Sequence, residues 1–387
     1  MSTDRTHKAA DPATLPGPPA YGVASLAEVL PSAAAAIGVP GYWDLLGVGG
    51  NYRGVVVALI DGLGWQSLQQ HASLAPSIVG GTAIDAAVPT TTPVGLGSLG
   101  TGTPPGSHGL VGASFRIAGA HSMLSPLSWS DSPMPRAVQP ESTVLEDVAR
   151  RGIDVFSISA RAYEGSGLTL AALRGGLYRG ADSLGEKVAE VASIAEGHDR
   201  FLSYLYWPDL DRTGHGHGVD SDHWRAELQH VDYLVQRLRS VLPADTALII
   251  TADHGMVDCA PADRFVIEDS PHLSRDVVRL GGEPRCRFIY TRSGKIDDVR
   301  RRWQEELGDR AWVLSRQEWI SAGYSGIVHD HVDERLGDVI ALARGNTSLA
   351  STTVDSVVSQ LRGQHGSISE AEMKIPFIVH SGTAETR

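Results

Sequence analysis

The chain of 387 residues reads as an α/β protein, with a mostly parallel central sheet, helices on both faces and a small α+β insertion late in the sequence. Three observations predict this. The run G-V-V-V-A-L-I at 54–60 is continuously apolar and Val-rich, as expected of a strand buried on both faces of a parallel sheet. Strand-like and helix-like segments then alternate as far as residue 251, the pattern of βαβ units. Finally, Asp61, Asp211 and the pair Asp253-His254 each come just past such a strand, where open α/β sheets place their ligands.

Taken in order, residues 1–22 are rich in Pro, Ala and charge and predict a loose tail. A surface helix is expected over 25–37. The 54–60 strand stops at Asp61-Gly62. A second strand over 82–88 leads into P-T-T-T-P-V-G-L-G-S-L-G-T-G, where Thr92 followed by Pro93 marks a helix start with Pro in its first turn. A helix amino terminus there would favour a bound phosphate. After the turn-rich T-P-P-G-S-H-G come a helix over 144–151, a strand over 155–159, and a strand over 201–206 running into a loop, D-L-D-R-T-G-H-G-H-G. A long helix over 222–242 precedes a strand over 247–251 that delivers Asp253-His254. Residues 266–334 read as a smaller inserted cap, with R-F-I-Y and A-W-V-L as strands around a helix over 295–307. The core, 23–265 and 335–387, resumes at G-D-V-I-A-L-A, presents His365 and ends with K-I-P-F-I-V-H.

Hydrophobic residues make up 42% of the chain and charged residues 20%, an ordinary globular composition. The net charge of −12 argues against a broad basic face for duplex nucleic acid. A small anion can still bind if cations invert the local potential. The two cysteines, Cys259 and Cys286, form no C-x-x-C pair, so neither a zinc knuckle nor a disulfide framework is expected. The amino terminus lacks a hydrophobic signal core and no stretch reaches the length of a membrane span. A reducing, cytoplasmic location is therefore expected, with no membrane partner. The oligomeric state stays open, and a monomer is compatible with the sequence.

The chemistry-bearing residues are Asp61, Thr92, Asp211, His215, Asp253, His254 and His365. Each motif alone is common in proteins. Together they supply three carboxylates, three imidazoles and a hydroxyl, enough to hold two divalent ions and a nucleophile. Oxygen and imidazole donors suit Zn²⁺ or Mn²⁺. Two such ions would offset three carboxylates, leave a positive site for phosphate, and lower the pKa of a bound hydroxyl enough to dispense with a side-chain base.

The pattern resembles the alkaline phosphatase superfamily and, within it, the type I phosphodiesterase/nucleotide pyrophosphatase family. The most specific stretch is T-T-T-P-V-G-L-G-S-L-G-T-G-T-P-P-G-S-H-G, whose register picks Thr92 over Thr90 and Thr91. The resemblance implies an alkaline phosphatase-like core and Thr92 as nucleophile. It implies one metal on Asp211, His215 and His365 and another on Asp61, Asp253 and His254, with Thr92 bridging toward phosphorus. Asp209 competes with Asp211, but D-x-x-G-H spacing favours Asp211. His217 is expected in a structural or supporting role and His108 as a loop organiser. Two positions depart from the family. Pro93 stands where Phe usually follows the nucleophile, and Ala113 where an Asn holds a phosphate oxygen. Stacking on a base would then fall to Trp65, Phe115, Trp129, Tyr206 or Trp207.

The longer motifs, Y-W-P-D-L-D-R-T-G-H-G-H-G-V-D and G-Q-H-G-S-I-S-E-A-E-M-K-I-P-F, are similar to a cytosolic actinobacterial branch that includes cyclic di-AMP phosphodiesterases. The expected activity is hydrolysis of a nucleotide phosphodiester through a nucleotidyl-threonine, with cyclic di-AMP giving the linear dinucleotide pApA and then AMP. A phosphomonoesterase or phosphonate hydrolase is the alternative, and a monoester would call on an extra cation such as Arg161, His272 or Arg275. A sulfatase would need C-x-P-x-R, whereas Cys259 begins C-A-P-A-D. A nucleotide sensor without turnover is a third reading, opposed by the intact ligand set and nucleophile.

Overall fold

The computed structural model describes residues 15–119, 122–129 and 132–383. Two sheets organise them. Along the sequence their strands are β1 (Gly54–Ile60), β2 (Thr82–Asp85), β3 (Asp154–Ser159), β4 (Leu177–Gly180), β5 (Phe201–Trp207), β6 (Thr246–Thr251), β7 (Val277–Glu283), β8 (Cys286–Thr291), β9 (Ala311–Ser315), β10 (Val339–Ala343) and β11 (Lys374–Ser381).

The large sheet has seven strands in the order β2-β11-β6-β1-β5-β3-β4. Every residue of β1 is buried, as its unbroken apolar run requires. β1 runs parallel to β5 and β6, while β11 is antiparallel to its neighbours β6 and β2. Register places Leu59 opposite both Tyr206 and Thr251. The segments after β1, β5 and β6 therefore leave the sheet side by side at one carboxyl edge, which is how Asp61, Asp211 and Asp253 come together.

Most expected elements lie close to where periodicity puts them. The amino-terminal helix is the pair Leu26–Glu28 and Val29–Ala36, begun by a capping box between Ser25 and Glu28. The helix after β2 spans Thr92–Thr101, with Pro93 in its first turn and Gly102 left-handed at its end. Two expectations need correction. The D-L-D-R-T-G-H-G-H segment is a helix, Asp209–His217, and not a loop. Its two internal glycines oppose helix formation, but tertiary packing overrides propensity. A Cβ on Gly214 would meet Met256 Sδ at 2.5 Å, so a larger residue there would have to displace the Met256 side chain that packs on this helix. The tail expected over 1–22 lies outside the described residues as far as residue 14. From residue 15 it is docked and not loose: Tyr21 Oη donates to the Tyr324 carbonyl at 3.1 Å and Ala20 N–H to Asp85 at 2.9 Å.

The small sheet is antiparallel, in the order β7-β8-β10-β9. β10 was expected to return the chain to the core sheet; it pairs instead with β8 and β9. An all-apolar run has the same appearance in a parallel core strand and in the middle of a covered antiparallel sheet. Ile340 and Leu342 face the main core with Phe288 and Tyr290. Val339, Ala341 and Ala343 face a second cluster built on the helix Ile296–Leu307, which buries Val299, Trp303 and Leu307 at helical spacing.

A wholly buried ion pair ties this sheet to the site edge. Arg285, in the turn between β7 and β8, donates Nε and Nη2 to Glu372 at 3.1 and 2.6 Å. Glu372 also accepts from Ser367 N–H at 3.0 Å, and its own carbonyl accepts from Gly255 N–H at 2.8 Å. Glu372 thus holds the loop after His365 through its carboxylate and the loop after His254 through its backbone carbonyl. Glu372→Ala should strand the Arg285 charge and lower stability by about 3–5 kcal/mol, read as a shift in the urea midpoint. The double variant Arg285→Met/Glu372→Leu should recover most of that loss.

Candidate metal centre

The seven predicted residues converge at the carboxyl edge of the large sheet. Asp211, His215 and His365 form one group and Asp61, Asp253 and His254 another, with the potential donor atoms of each group within 4.8 Å of one another. Asp211 and His215 are four residues apart on the Asp209–His217 helix and so share a face; His215 Nε2 lies 3.3 Å from Asp211. His365 Nε2 lies 3.2 Å from His215 Nε2. In the second group His254 Nε2 is 3.6 Å from Asp61 and 3.7 Å from Asp253. Thr92 Oγ1 is 3.3 Å from His254 Nε2, at the start of its helix. Close approach again needs glycine: a Cβ on Gly95 would meet Asp253 Cβ at 2.7 Å.

The donor chemistry fits divalent cations. Each imidazole is held through Nδ1 by a backbone carbonyl: His215 by Gly363 at 2.8 Å, His254 by Gly255 at 3.0 Å and His365 by Thr90 at 2.9 Å. A carbonyl can only accept, so Nδ1 carries the proton and Nε2 presents a bare lone pair to the site. The carboxylates are arranged likewise. Tyr206 donates its hydroxyl to Asp61 Oδ2, and Gly62 and His254 N–H donate to Asp253 Oδ1 at 3.3 and 3.1 Å. The opposite oxygens, Asp61 Oδ1 and Asp253 Oδ2, together with Asp211 Oδ1, are buried without a hydrogen-bond partner. Bare oxygens and ring nitrogens facing one another repel unless a cation lies among them. Burial, then the Asp253 and Asp211 charges, push the Asp61 carboxyl well above the usual range. Burial and the neighbouring imidazoles push His365 well below its usual value. Both directions favour neutral side chains that a cation would re-ionise or ligate.

The competing residues lie elsewhere. Asp209 pairs with Arg212 at 2.7 Å, and His217 stacks on His223 with ring centroids 3.8 Å apart. His108 joins Ser98 Oγ at 3.0 Å and accepts from Leu110 N–H at 3.1 Å, organising the turn after the Thr92 helix. Ala113 lines the cleft with a methyl group only.

Two pockets meet at Thr92 and share the rim residue Leu127. The first, about 270 Å³, is lined by Ser157 and Ser159 of β3, Tyr204 and Tyr206 of β5, Tyr163 and Tyr178. Of the five aromatic candidates only Tyr206 lies here. Phe115 is fully buried, Trp129 donates to the Pro133 carbonyl at 2.8 Å, and Trp207 donates to Glu227 at 2.9 Å. Tyr204 escaped notice, although the alternation S-Y-L-Y along β5 puts it on the same face as Tyr206. The second pocket, about 480 Å³, lies toward the small sheet and is lined by Leu280, Glu283, Val354, Asp355 and Val358 besides the metal-site residues. Glu283 is a further residue that sequence reasoning missed. It is 6% exposed, accepts from Thr91 Oγ1 at 3.3 Å and sits 3.6 Å from His365 Nδ1. No motif flagged it, because it lies in the stretch 266–334 that reads as an inserted cap.

Asp253→Asn should lose bound metal and activity together, measured as metal content after dialysis. Tyr206→Phe should keep the fold but weaken metal affinity by about 10- to 100-fold, because Asp61 loses the donor that orients it.

Residues 55–368 match the family described as type I phosphodiesterase/nucleotide pyrophosphatase. Human ectonucleotide pyrophosphatase/phosphodiesterase family member 5 is 35% identical over 103 residues, 25% of this chain; the match spans only 21% of that relative's length. Structures of the murine and human ectonucleotide pyrophosphatase/phosphodiesterase 5 each align with a TM-score of 0.65 at 20% identity, over 86% of this chain and 90% of theirs. A further murine structure is an inactive threonine-to-alanine variant in complex with AMP, with the same score and coverage. These structures share the α/β fold of this chain. No helix among the described residues is long and apolar enough to cross a membrane. On the family match over most of its length, the chain belongs to the type I phosphodiesterase/nucleotide pyrophosphatase family.

Proposed function

We propose that this protein is a metal-dependent phosphodiesterase that cleaves a nucleotide diester, with cyclic di-AMP as its substrate and pApA and then AMP as products. The observation that carries the diester reading is that Thr92 lies where two separate pockets meet. A diester has an organic group on each side of phosphorus, and each pocket can take one. The tyrosine pocket offers stacking faces and hydroxyl-bearing side chains, Ser157, Ser159, Ser166 and Thr169, along its walls. The AMP bound to the murine relative and the family's description support a nucleotide in this role.

Asp211, His215 and His365 would hold one divalent ion, and Asp61, Asp253 and His254 the other, Mn²⁺ or Zn²⁺ by donor type. When bound, the ions would lower the pKa of the Thr92 hydroxyl and offset the charge on the phosphoryl oxygens. Thr92 Oγ1 attacks phosphorus, the bond to the leaving alkoxide breaks, and the Thr92 proton ends on that alkoxide. Water then cleaves the phosphorus–Oγ1 bond and restores the hydroxyl. The helix amino terminus would turn its positive dipole end and the Thr92 N–H toward the phosphate. The small sheet supplies the outer wall through Leu280 and Glu283. We place the substrate in the cytoplasm, where the free, buried thiols of Cys259 and Cys286 fit a reducing environment.

The monoesterase alternative needs a further cation near phosphorus. Arg161 is instead paired with Asp182 and Glu186 at 2.6 and 3.0 Å, and His272 with Glu306 at 3.0 Å. Arg275 is largely exposed, and none of the three lines either pocket. With Mn²⁺ and separately with Zn²⁺, the protein should cleave cyclic di-AMP and bis-p-nitrophenyl phosphate well ahead of cyclic di-GMP and p-nitrophenyl phosphate. Turnover of the monoester alone would overturn the diester reading. Thr92→Ala should lower turnover by roughly 10³-fold or more while still binding cyclic di-AMP; a sensor would have no wild-type turnover to lose.

A further inference from the structure

The family name covers two kinds of leaving group, an alkoxide from a diester and a phosphate chain from a nucleotide polyphosphate. The pockets distinguish them. Among the described residues that line the two cavities at Thr92 there is no Lys or Arg. The tyrosine pocket carries no charged side chain at all. The pocket toward the small sheet adds two acidic residues, Glu283 and Asp355, to the metal-site residues, with Leu280, Val354 and Val358 around them.

Two guanidinium groups that follow Glu283 in the sequence are already committed. Arg287 donates Nη1 and Nη2 to Asp355 at 2.6 and 2.9 Å and Nε to the Leu349 carbonyl at 2.8 Å. Arg285 is shared between Glu372 and the carbonyls of Gly345 and Thr347, the last two at 2.7 and 2.6 Å. Both arginines are fully buried and face acceptors within the fold. Release of either toward a ligand would strand a carboxylate.

We infer that this site selects diesters whose leaving group is a sugar alkoxide, as in a dinucleotide, and discriminates against nucleoside triphosphates, which would leave as pyrophosphate. The inference rests on the phosphodiesterase reading above and narrows it. An in-line reaction puts the leaving group opposite the attacking Thr92 Oγ1, and with the nucleoside in one of the two pockets that meet at Thr92 a pyrophosphate must occupy the other. In either, its charges lose water and gain no cationic side chain, and in the outer one they meet carboxyl groups. A nucleoside brings ring faces and hydroxyls, which the apolar and hydroxyl-bearing walls accommodate. Selectivity then comes from what the pockets withhold as much as from what they offer.

The test compares kcat/KM for adenylyl-(3′→5′)-adenosine and for ATP under the same metal, with bis-p-nitrophenyl phosphate as a control diester. The dinucleoside should be preferred by about tenfold or more. Calorimetry on the Thr92→Ala protein should give the same order of affinity without turnover. Val358→Lys and, independently, Val354→Lys place a cation on the outer wall at partly exposed positions, 39% and 46% accessible. Each should raise the ratio of ATP to dinucleoside cleavage. Equal wild-type cleavage of ATP and dinucleoside, or an unchanged ratio in both folded lysine variants, would overturn the inference and leave the diesterase reading intact. Failure to cleave any diester, the control included, would sink the diesterase reading itself.

Discussion

Three carboxylates gathered at one dry sheet edge set the terms for everything around them. Asp61 and Asp253 are almost wholly buried and Asp211 is partly so, and each points an unpartnered oxygen inward. Burying so much negative charge is costly unless cations share the site. The surroundings are built to keep those oxygens and the three Nε2 atoms bare: the Nδ1 contacts to backbone carbonyls, the Tyr206 hydroxyl and the Asp253 amide contacts all occupy the opposite atom. Such arrangements pre-organise ligands and leave little to reorganise when an ion arrives.

The small sheet is tied into this design. Its β8 and β10 strands put Phe288, Tyr290, Ile340 and Leu342 into the main core, and the Arg285–Glu372 pair locks its first turn to the loops that carry His254 and His365. β7, the partner of β8, ends at Glu283, beside His365 and Thr91. Packing of the small sheet therefore also places Leu280 and Glu283 in the site wall.

Charge organises the site at two ranges. Close to Thr92 the donor set calls for cations. A few ångströms further out the pockets carry tyrosines, serines and aliphatic side chains without a basic residue among the described lining. A centre of this kind concentrates its electrostatic power on a single phosphoryl group and leaves recognition of the rest of the substrate to shape, stacking and neutral hydrogen bonds.

Much of this was legible in the residues alone. The apolar run before Asp61, the Pro93 helix start and the Asp/His motifs past strand ends predicted the sheet, the Thr92 helix and which side chains gather, because strand burial, proline geometry and metal chemistry leave local signatures. The i, i+4 spacing of Asp211 and His215 is compatible with the helix Asp209–His217, but the glycines of that segment read as a loop, and the helix depends on packing against Met256 that local sequence does not show. The sequence could not place β10, since an apolar strand does not name its partner, and it could not find Glu283, Tyr204 or the docked segment 15–22. Those depend on contacts between residues far apart in the chain: Glu283 with Thr91, and Tyr21 with Tyr324. Local pattern determines what an element is and which chemistry it carries. Only packing decides which distant surfaces meet, and so which uncharged or acidic walls surround the reacting centre.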